Sequence, residues 1–199
     1  MVSSGEGMKG WVLILSFSLL ALLPSDSLAI GFDIWETGMN IDEVVGLARE
    51  HDIPIMRDGI VAIRDRFDAK LIDQNFYKAS TVYYRANISG RNAIVYLRLT
   101  DDPKFVYEIE VKLFGIRDKD LFTKEMLGIL NEKYGPSKRI METVFPVYQW
   151  RPDQSSQVRM RVFGPEASVI YTDLGTKELL ENQRREKEKR LIRKDGGKF

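Results

Sequence analysis

Residues 81–114 constrain the fold more than any other part of the chain. Apolar residues take every second position over three successive runs, which is the period of a half-buried strand. Val82, Tyr84, Ala86 and Ile88 alternate with Tyr83, Arg85 and Asn87, and Ser89-Gly90 follows as a two-residue turn signal. Ala93, Val95, Leu97 and Leu99 then alternate with Ile94, Tyr96 and Arg98. If Ile88 lies opposite Arg91, Ala86 meets Ala93, Tyr84 meets Val95, Val82 meets Leu97, and Tyr83 meets Tyr96 on the other side. A slip of one residue would turn every inward side chain to solvent, so turn length and hydrophobic pattern test the register independently, and here they agree. A turn at Asp101-Asp102-Pro103 leads to a third strand, where Phe105, Tyr107, Ile109, Val111 and Leu113 alternate with Val106, Glu108, Glu110 and Lys112.

Helices flank this meander. Residues 31–35 read as a short strand. Asn40 is a good helix N-cap, and Glu43 three residues later can complete a capping box, with Met39 and Val44 placed for a hydrophobic staple. Ile41, Val44, Val45 and Ala48 fall on one helical face, and Pro54 ends the helix near Asp52 by disfavouring helical backbone at Ile53. Residues 53–80 fit two patterns, a strand over 59–63 or a helix carrying Ile60, Ile63, Phe67 and Leu71, and periodicity does not choose between them. Asp118 and Asp120 open a second helix where its dipole favours negative charge. Phe122, Met126, Ile129 and Leu130 form the expected buried stripe, and Gly135-Pro136 stops the helix. Three further strands are expected over residues 142–151, 157–163 and 168–172, with Gly164-Pro165 between the last two.

The fold class is therefore α+β: an antiparallel meander sheet with helices packed on one face, plus a charged C-terminal helix. Helix followed by strands occurs twice, the pattern of a diverged tandem duplication, although no strict sequence repeat is present. Residues 177–199 hold nine Lys and Arg against five Asp and Glu. Glu181 with Arg185 and Glu186 with Arg190 are spaced to support a helix there, whose end frays.

The N-terminus reads as an address. Lys9 precedes an uncharged, mostly apolar run of 13 residues from Trp11 to Leu23; Pro24 and Ser25 break it, and Ser27-Leu28-Ala29 offers small residues for cleavage. The run is too short for a bilayer span, which needs about 20 apolar residues. The expected organisation is a cleaved signal peptide over 1–29, a single α+β domain over 30–175, and a charged C-terminal helix and tail over 176–199. The mature protein is expected in the periplasm or outside the cell, with no transmembrane span after cleavage.

Composition closes off much chemistry. Without cysteine there is no disulfide, thiolate metal site, cysteine nucleophile or lipidated cysteine. A formal net charge of +1 gives no global field to recruit nucleic acid. His51 is the one histidine, at the end of the first helix, where it suits the helix dipole. Asp101 and Asp102 could hold calcium, but aspartate before proline is ordinary turn chemistry. The chain contains no nucleophile elbow, zinc-protease motif, phosphate-binding glycine loop or EF-hand spacing. No catalytic residue, cofactor or metal is expected. Asn87-Ile88-Ser89 is formally a glycosylation acceptor, usable only in a eukaryotic secretory host.

What remains is a surface. The outward sheet face should carry Tyr83, Arg85, Tyr96, Arg98, Glu108, Glu110, Arg159 and Arg161. Such residues form cross-strand pairs on a solvated face, and they are also the types that concentrate in partner-binding patches. Residues 38–44, Gly-Met-Asn-Ile-Asp-Glu-Val, resemble the opening of small bacterial envelope proteins of the SmpA/BamE and β-lactamase-inhibitor-like kinds, and residues 130–136, Leu-Asn-Glu-Lys-Tyr-Gly-Pro, are similar to a helix end in exported proteins of this sort. The resemblance implies a helix-plus-sheet binding module without catalysis, its partner another envelope protein. Two alternatives are an envelope hydrolase whose carboxylates only the fold assembles, and a structural envelope protein whose basic residues 177–199 touch anionic surfaces.

Overall fold

The computed structural model describes residues 29–57, 76–142 and 145–196. The signal segment up to residue 28, and the alternatives considered for residues 59–63 and for Ile60, Ile63, Phe67 and Leu71, lie outside the described residues. In chain order the elements are β1 (Gly31–Phe32), β2 (Trp35–Glu36), α1 (Ile41–Glu50), β3 (Met56–Arg57), a 3-10 turn (Phe76–Lys78), β4 (Thr81–Ile88), β5 (Arg91–Leu99), β6 (Val106–Phe114), α2 (Lys119–Tyr134), β7 (Lys138–Glu142), β8 (Phe145–Trp150), β9 (Ser156–Phe163), β10 (Glu166–Asp173) and α3 (Leu174–Gly196).

The hairpin forms in the expected register: Ile88 faces Arg91, Ala86 faces Ala93, Tyr84 faces Val95, Val82 faces Leu97 and Tyr83 faces Tyr96. Ser89 and Gly90 have φ of 51° and 77°. Two consecutive left-handed residues make the turn whose twist matches a two-stranded ribbon, and glycine supplies the second without a Cβ penalty. Val82, Val95, Leu97 and Ile109 are fully buried, so the inward face is the core.

Among the described residues, eight strands form one sheet in the order β3-β4-β5-β6-β10-β9-β8-β7, antiparallel throughout. The chain runs helix then four strands, twice, and the two runs meet where β10 returns beside β6, with Val111 opposite Val169. Helices α1 and α2 both feed one hydrophobic cluster, through Ile41, Val44 and Ala48 and through Phe122 and Leu130. Each half buries one tryptophan whose indole N–H is satisfied locally. Trp35 Nε1 donates to the Tyr84 hydroxyl at 2.8 Å, and Trp150 Nε1 donates to Asn131 Oδ1 at 2.9 Å. The capping box on α1 is complete: Asn40 Oδ1 accepts from the N–H groups of Asp42 and Glu43, and Glu43 Oε2 accepts from the Asn40 N–H at 2.7 Å. Asp118 caps α2 by accepting from the Leu121 N–H, and the Gly135 N–H closes the far end on the Asn131 carbonyl.

Four local expectations are corrected. At the start of β6 Val106, not Phe105 or Tyr107, is the buried residue, because the register with β5 shifts between Arg98 and Leu99 and sets Val106 opposite Leu99. Residues 31–35 do not form one strand but a minimal hairpin, in which Gly31 pairs with Glu36 and Phe32 with Trp35. A Cβ at Gly31 would sit 2.1 Å from the Trp35 carbonyl oxygen, a separation only glycine permits. The strand expected over 142–151 forms as β8, and a further strand that was not expected, β7, precedes it and pairs with it as a hairpin. Lys138 and Arg139 hide β7 from a hydrophobicity pattern because it is the sheet edge, where charge is favoured. Ile129 is 59% exposed rather than buried. Helix α2 contacts the core along an i, i+4 row, Phe122, Met126, Leu130 and Tyr134, with Leu127 beside it, and Ile129 lies off that row.

Replacing Leu97 by Ala removes a fully buried side chain between two paired strands and should cost about 2–5 kcal/mol by urea denaturation. Burial pushes the Tyr84 hydroxyl above its ordinary value of 10.0, with the Trp35 hydrogen bond opposing and Asp33 adding to the rise. Burial, with Tyr134 nearby, raises Tyr171 further. The unfolded chain therefore ionises first. Stability from these groups should be intact below pH 10 and fall as pH rises beyond it, seen as a falling denaturation midpoint together with a fraction of the phenolate absorbance that appears only on unfolding.

Candidate functional site

The strand registers place all eight expected surface residues on the face opposite the core. One row across the sheet reads Tyr83, Tyr96, Glu110, Ile170, Arg159; a second reads Arg85, Ile94, Lys112, Ser168, Arg161; a third contains Arg98, Glu108, Thr172 and Gln157. Tyr83 and Tyr96 stand side by side with ring centroids 5.8 Å apart, and the Lys112 ammonium lies 5.2 Å from the Tyr96 centroid. Arg98 bridges the two glutamates, with Nε 2.9 Å from Glu108 Oε1 and a terminal nitrogen 2.9 Å from Glu110 Oε2. Lys112 and Arg161 approach the other Glu110 oxygen at 3.9 and 3.7 Å. On Glu108, Lys177 from α3 reaches Oε2 at 3.3 Å, and the Thr172 hydroxyl donates to the same oxygen. Arg161 Nε also donates to Ser168 Oγ at 2.9 Å.

Four cations thus surround two carboxylates. The carboxylates are the buried members, Glu108 at 7% and Glu110 at 3% exposure, whereas the side chains of Arg98 and Arg161 remain 41% and 44% exposed. This corrects the expectation that both glutamates present themselves to a partner. They sit on β6 in the middle of the sheet, with β10 beside them and the start of α3 packed on β6, β9 and β10. Ser168, Ile170, Thr172 and Val147 are buried on this same face, so it is not uniformly wet. Burial pushes the Arg98 guanidinium down, but Glu110 and Glu108 more than reverse this and hold it charged. Burial and the Glu110 charge raise the Tyr96 hydroxyl, with Tyr83 adding to the rise and Arg98 opposing it. The hydroxyl therefore stays a neutral donor at physiological pH.

Sequence reasoning passed over Lys112, Ser168, Thr172 and Lys177. Lys112 was legible in the alternation of β6. The other three depended on β10 returning beside β6, which no local pattern announces.

A second feature adjoins this face. A cleft of about 390 Å³ opens between β9, the β8–β9 loop and the first turns of α3, lined by Arg151, Gln154, Gln157, Arg159, Lys177 and Glu178, with Leu174 and Glu181 also contributing. The other sequence candidates stay apart. His51 is the exposed C-cap of α1, and Asp101 and Asp102 are exposed in the β5–β6 turn. Among the described residues no three His, Cys, Asp or Glu side chains converge to hold a metal, and no helix is long and apolar enough to cross a membrane. In α3, Glu181 pairs with Arg185 at 3.7 Å as expected, while Glu186 takes Lys189 at 2.8 Å rather than the expected Arg190. Leu179, Leu191 and Ile192 are exposed at scattered angles around this helix, leaving no continuous apolar stripe.

Comparison with known proteins finds no matching family, curated protein or solved structure.

Removing the buried member of the network is predicted to be far more damaging than removing an exposed one. Glu110→Ala should cost about 1.5–3 kcal/mol because it removes the buried carboxylate that accepts from Arg98 at 2.9 Å and that Lys112 and Arg161 also approach. Arg161→Ala should cost at most about 1 kcal/mol. Urea denaturation of the two variants tests the ordering.

Proposed function

We propose that the chain is an exported, non-enzymatic interaction module of the bacterial envelope. On this reading it binds an acidic protein partner through the face formed by β4, β5, β6 and β9. The observation that carries the reading is the charge arrangement: two carboxylates lie buried beneath Arg98, Lys112, Arg161 and Lys177, so the groups left toward solvent are mainly cationic. Tyr83 and Tyr96 lie beside them, and tyrosine and arginine are the residue types that concentrate binding energy at interfaces. The buried glutamates hold the arginines in place before a partner arrives, which lowers the ordering cost of binding. Helix followed by four strands, twice over, is in keeping with a tandem helix-plus-sheet module of the SmpA/BamE or β-lactamase-inhibitor-like kind. The hydrolase alternative draws little support. An acid catalyst is usually held protonated by apolar burial, whereas Glu178 in the cleft is exposed and Glu181 is exposed and paired with Arg185.

The test is photo-crosslinking in a bacterial host from position 83, with exposed Lys124 on α2 as the comparison site. The mature protein is expected in the periplasmic fraction, starting at Ile30. A specific adduct should form at 83 and not at 124. The affinity of the purified pair should fall about tenfold or more with Arg161→Glu and should weaken with added salt. Binding indifferent to both, or adducts equal at the two positions, would sink the proposal.

A further inference from the structure

Helix α3 meets the sheet in an unusual way. Leu174, Lys177, Glu178 and Glu181 are spaced three and four apart, so they share one side of the helix, and that side lines the cleft. A helix that packs for stability presents an apolar stripe to its sheet. Here a single leucine does so, and a polar cavity of about 390 Å³ remains. Both walls are nevertheless held firmly. Asp173 caps α3 by accepting from the Thr176 N–H at 3.1 Å and from its hydroxyl at 2.7 Å, and the Leu174 N–H donates to the Ser155 carbonyl at 2.7 Å. In the loop opposite, Asp153 accepts from the Ser155 N–H at 2.7 Å and from its hydroxyl at 2.8 Å. Lys177 is anchored on Glu108. The cavity is therefore formed in advance, and its volume falls in the range of small-ligand sites, about 300–1,000 Å³.

Its lining indicates what it takes. Arg151, Arg159 and Lys177 contribute three cations, and Gln154 and Gln157 add amide donors. Of the two opposing carboxylates, Glu181 is already paired with Arg185 on the next turn of the helix. We infer that this cleft is a binding site for a small anion, whose carboxylate or phosphate oxygens lie against Arg151, Arg159 and Lys177. The guanidinium fork suits either oxyanion, and the glutamines suit hydroxyl groups carried beside it. Glu178 and Glu181 weaken the site and so keep occupancy dependent on a ligand with more than one charge or with added hydrogen bonds. The cleft adjoins the proposed partner surface and shares Arg159, Gln157 and Lys177 with it, but the inference rests on the cavity and its lining, not on a partner.

The probes are inorganic phosphate and glucuronate, titrated at low ionic strength into the mature chain and followed by calorimetry and amide chemical shifts. Saturable binding of one probe, with shifts centred on residues 151–159 and 174–181, is expected, and the responding arm identifies the oxyanion. Arg151→Ala, at an exposed position, should weaken binding about tenfold. The double variant Glu178→Gln, Glu181→Gln should tighten it several-fold, and Lys124→Ala should change nothing. The gain in the double variant cannot come from unfolding. No saturation by either probe, or equal effects of Arg151→Ala and Lys124→Ala, or unchanged affinity in the double variant, overturns the inference. Arg151→Ala should leave crosslinking from position 83 intact, which separates this result from the partner test.

Discussion

The pairing of β6 with β10 is the contact on which the rest of the molecule depends. It joins a first helix-and-four-strand run to a second, and it turns two meanders into one eight-stranded sheet. It also moves β6 from what would be an outer strand to the centre. A carboxylate on an edge strand can solvate itself. At the centre of a wide sheet it must be desolvated and paired. Glu108 and Glu110 occupy that central strand, and Arg98, Lys112, Arg161 and Lys177 are the answer to their burial.

That requirement ties fold and surface chemistry together. The cations are drawn from four elements, β5, β6, β9 and α3, so the network exists only when both halves and the last helix are in place. It contributes little net stability, because desolvating the glutamates offsets most of the Coulombic gain. Its effect is to order long side chains that would otherwise sample many rotamers, leaving guanidinium groups preset beside a tyrosine pair. Helix α3 gains its place by the same means. It lacks an apolar stripe, and it is located by the Asp173 cap, the Leu174–Ser155 hydrogen bond and the Lys177–Glu108 ion pair. Polar attachment of this kind leaves space between helix and sheet, and the cleft is that space.

Much of the local structure was legible because it depends on neighbours in the chain. The hairpin from Thr81 to Leu99 follows from a two-residue turn and a two-residue period acting together. The α1 start follows from Asn40 and Glu43, three residues apart. The reading failed where burial is set by distant parts. Ile129 belongs to an apolar set by sequence yet misses the row along which α2 crosses the sheet. β7 is an edge strand written in charged residues, so its pattern resembles a loop. The eight surface residues were assigned to the correct face, because alternation fixes sidedness. Which of them are buried was not assigned, because alternation says nothing about what lies beside or above a strand.

By itself, then, the order of residues determined the long central strands β4 and β5 and their facing, the hairpin register and the helix caps, since each is decided by steric and hydrogen-bonding rules acting over a few residues. Only the tertiary structure decided that β10 returns to β6, that Glu108 and Glu110 are buried beneath cations, and that α3 stands off the sheet to leave a polar cleft. Those outcomes depend on contacts between residues some 60 positions apart, such as Thr172 on Glu108 and Lys177 on Glu108. Their strength comes from the desolvation that the completed sheet imposes, and no local segment experiences it alone.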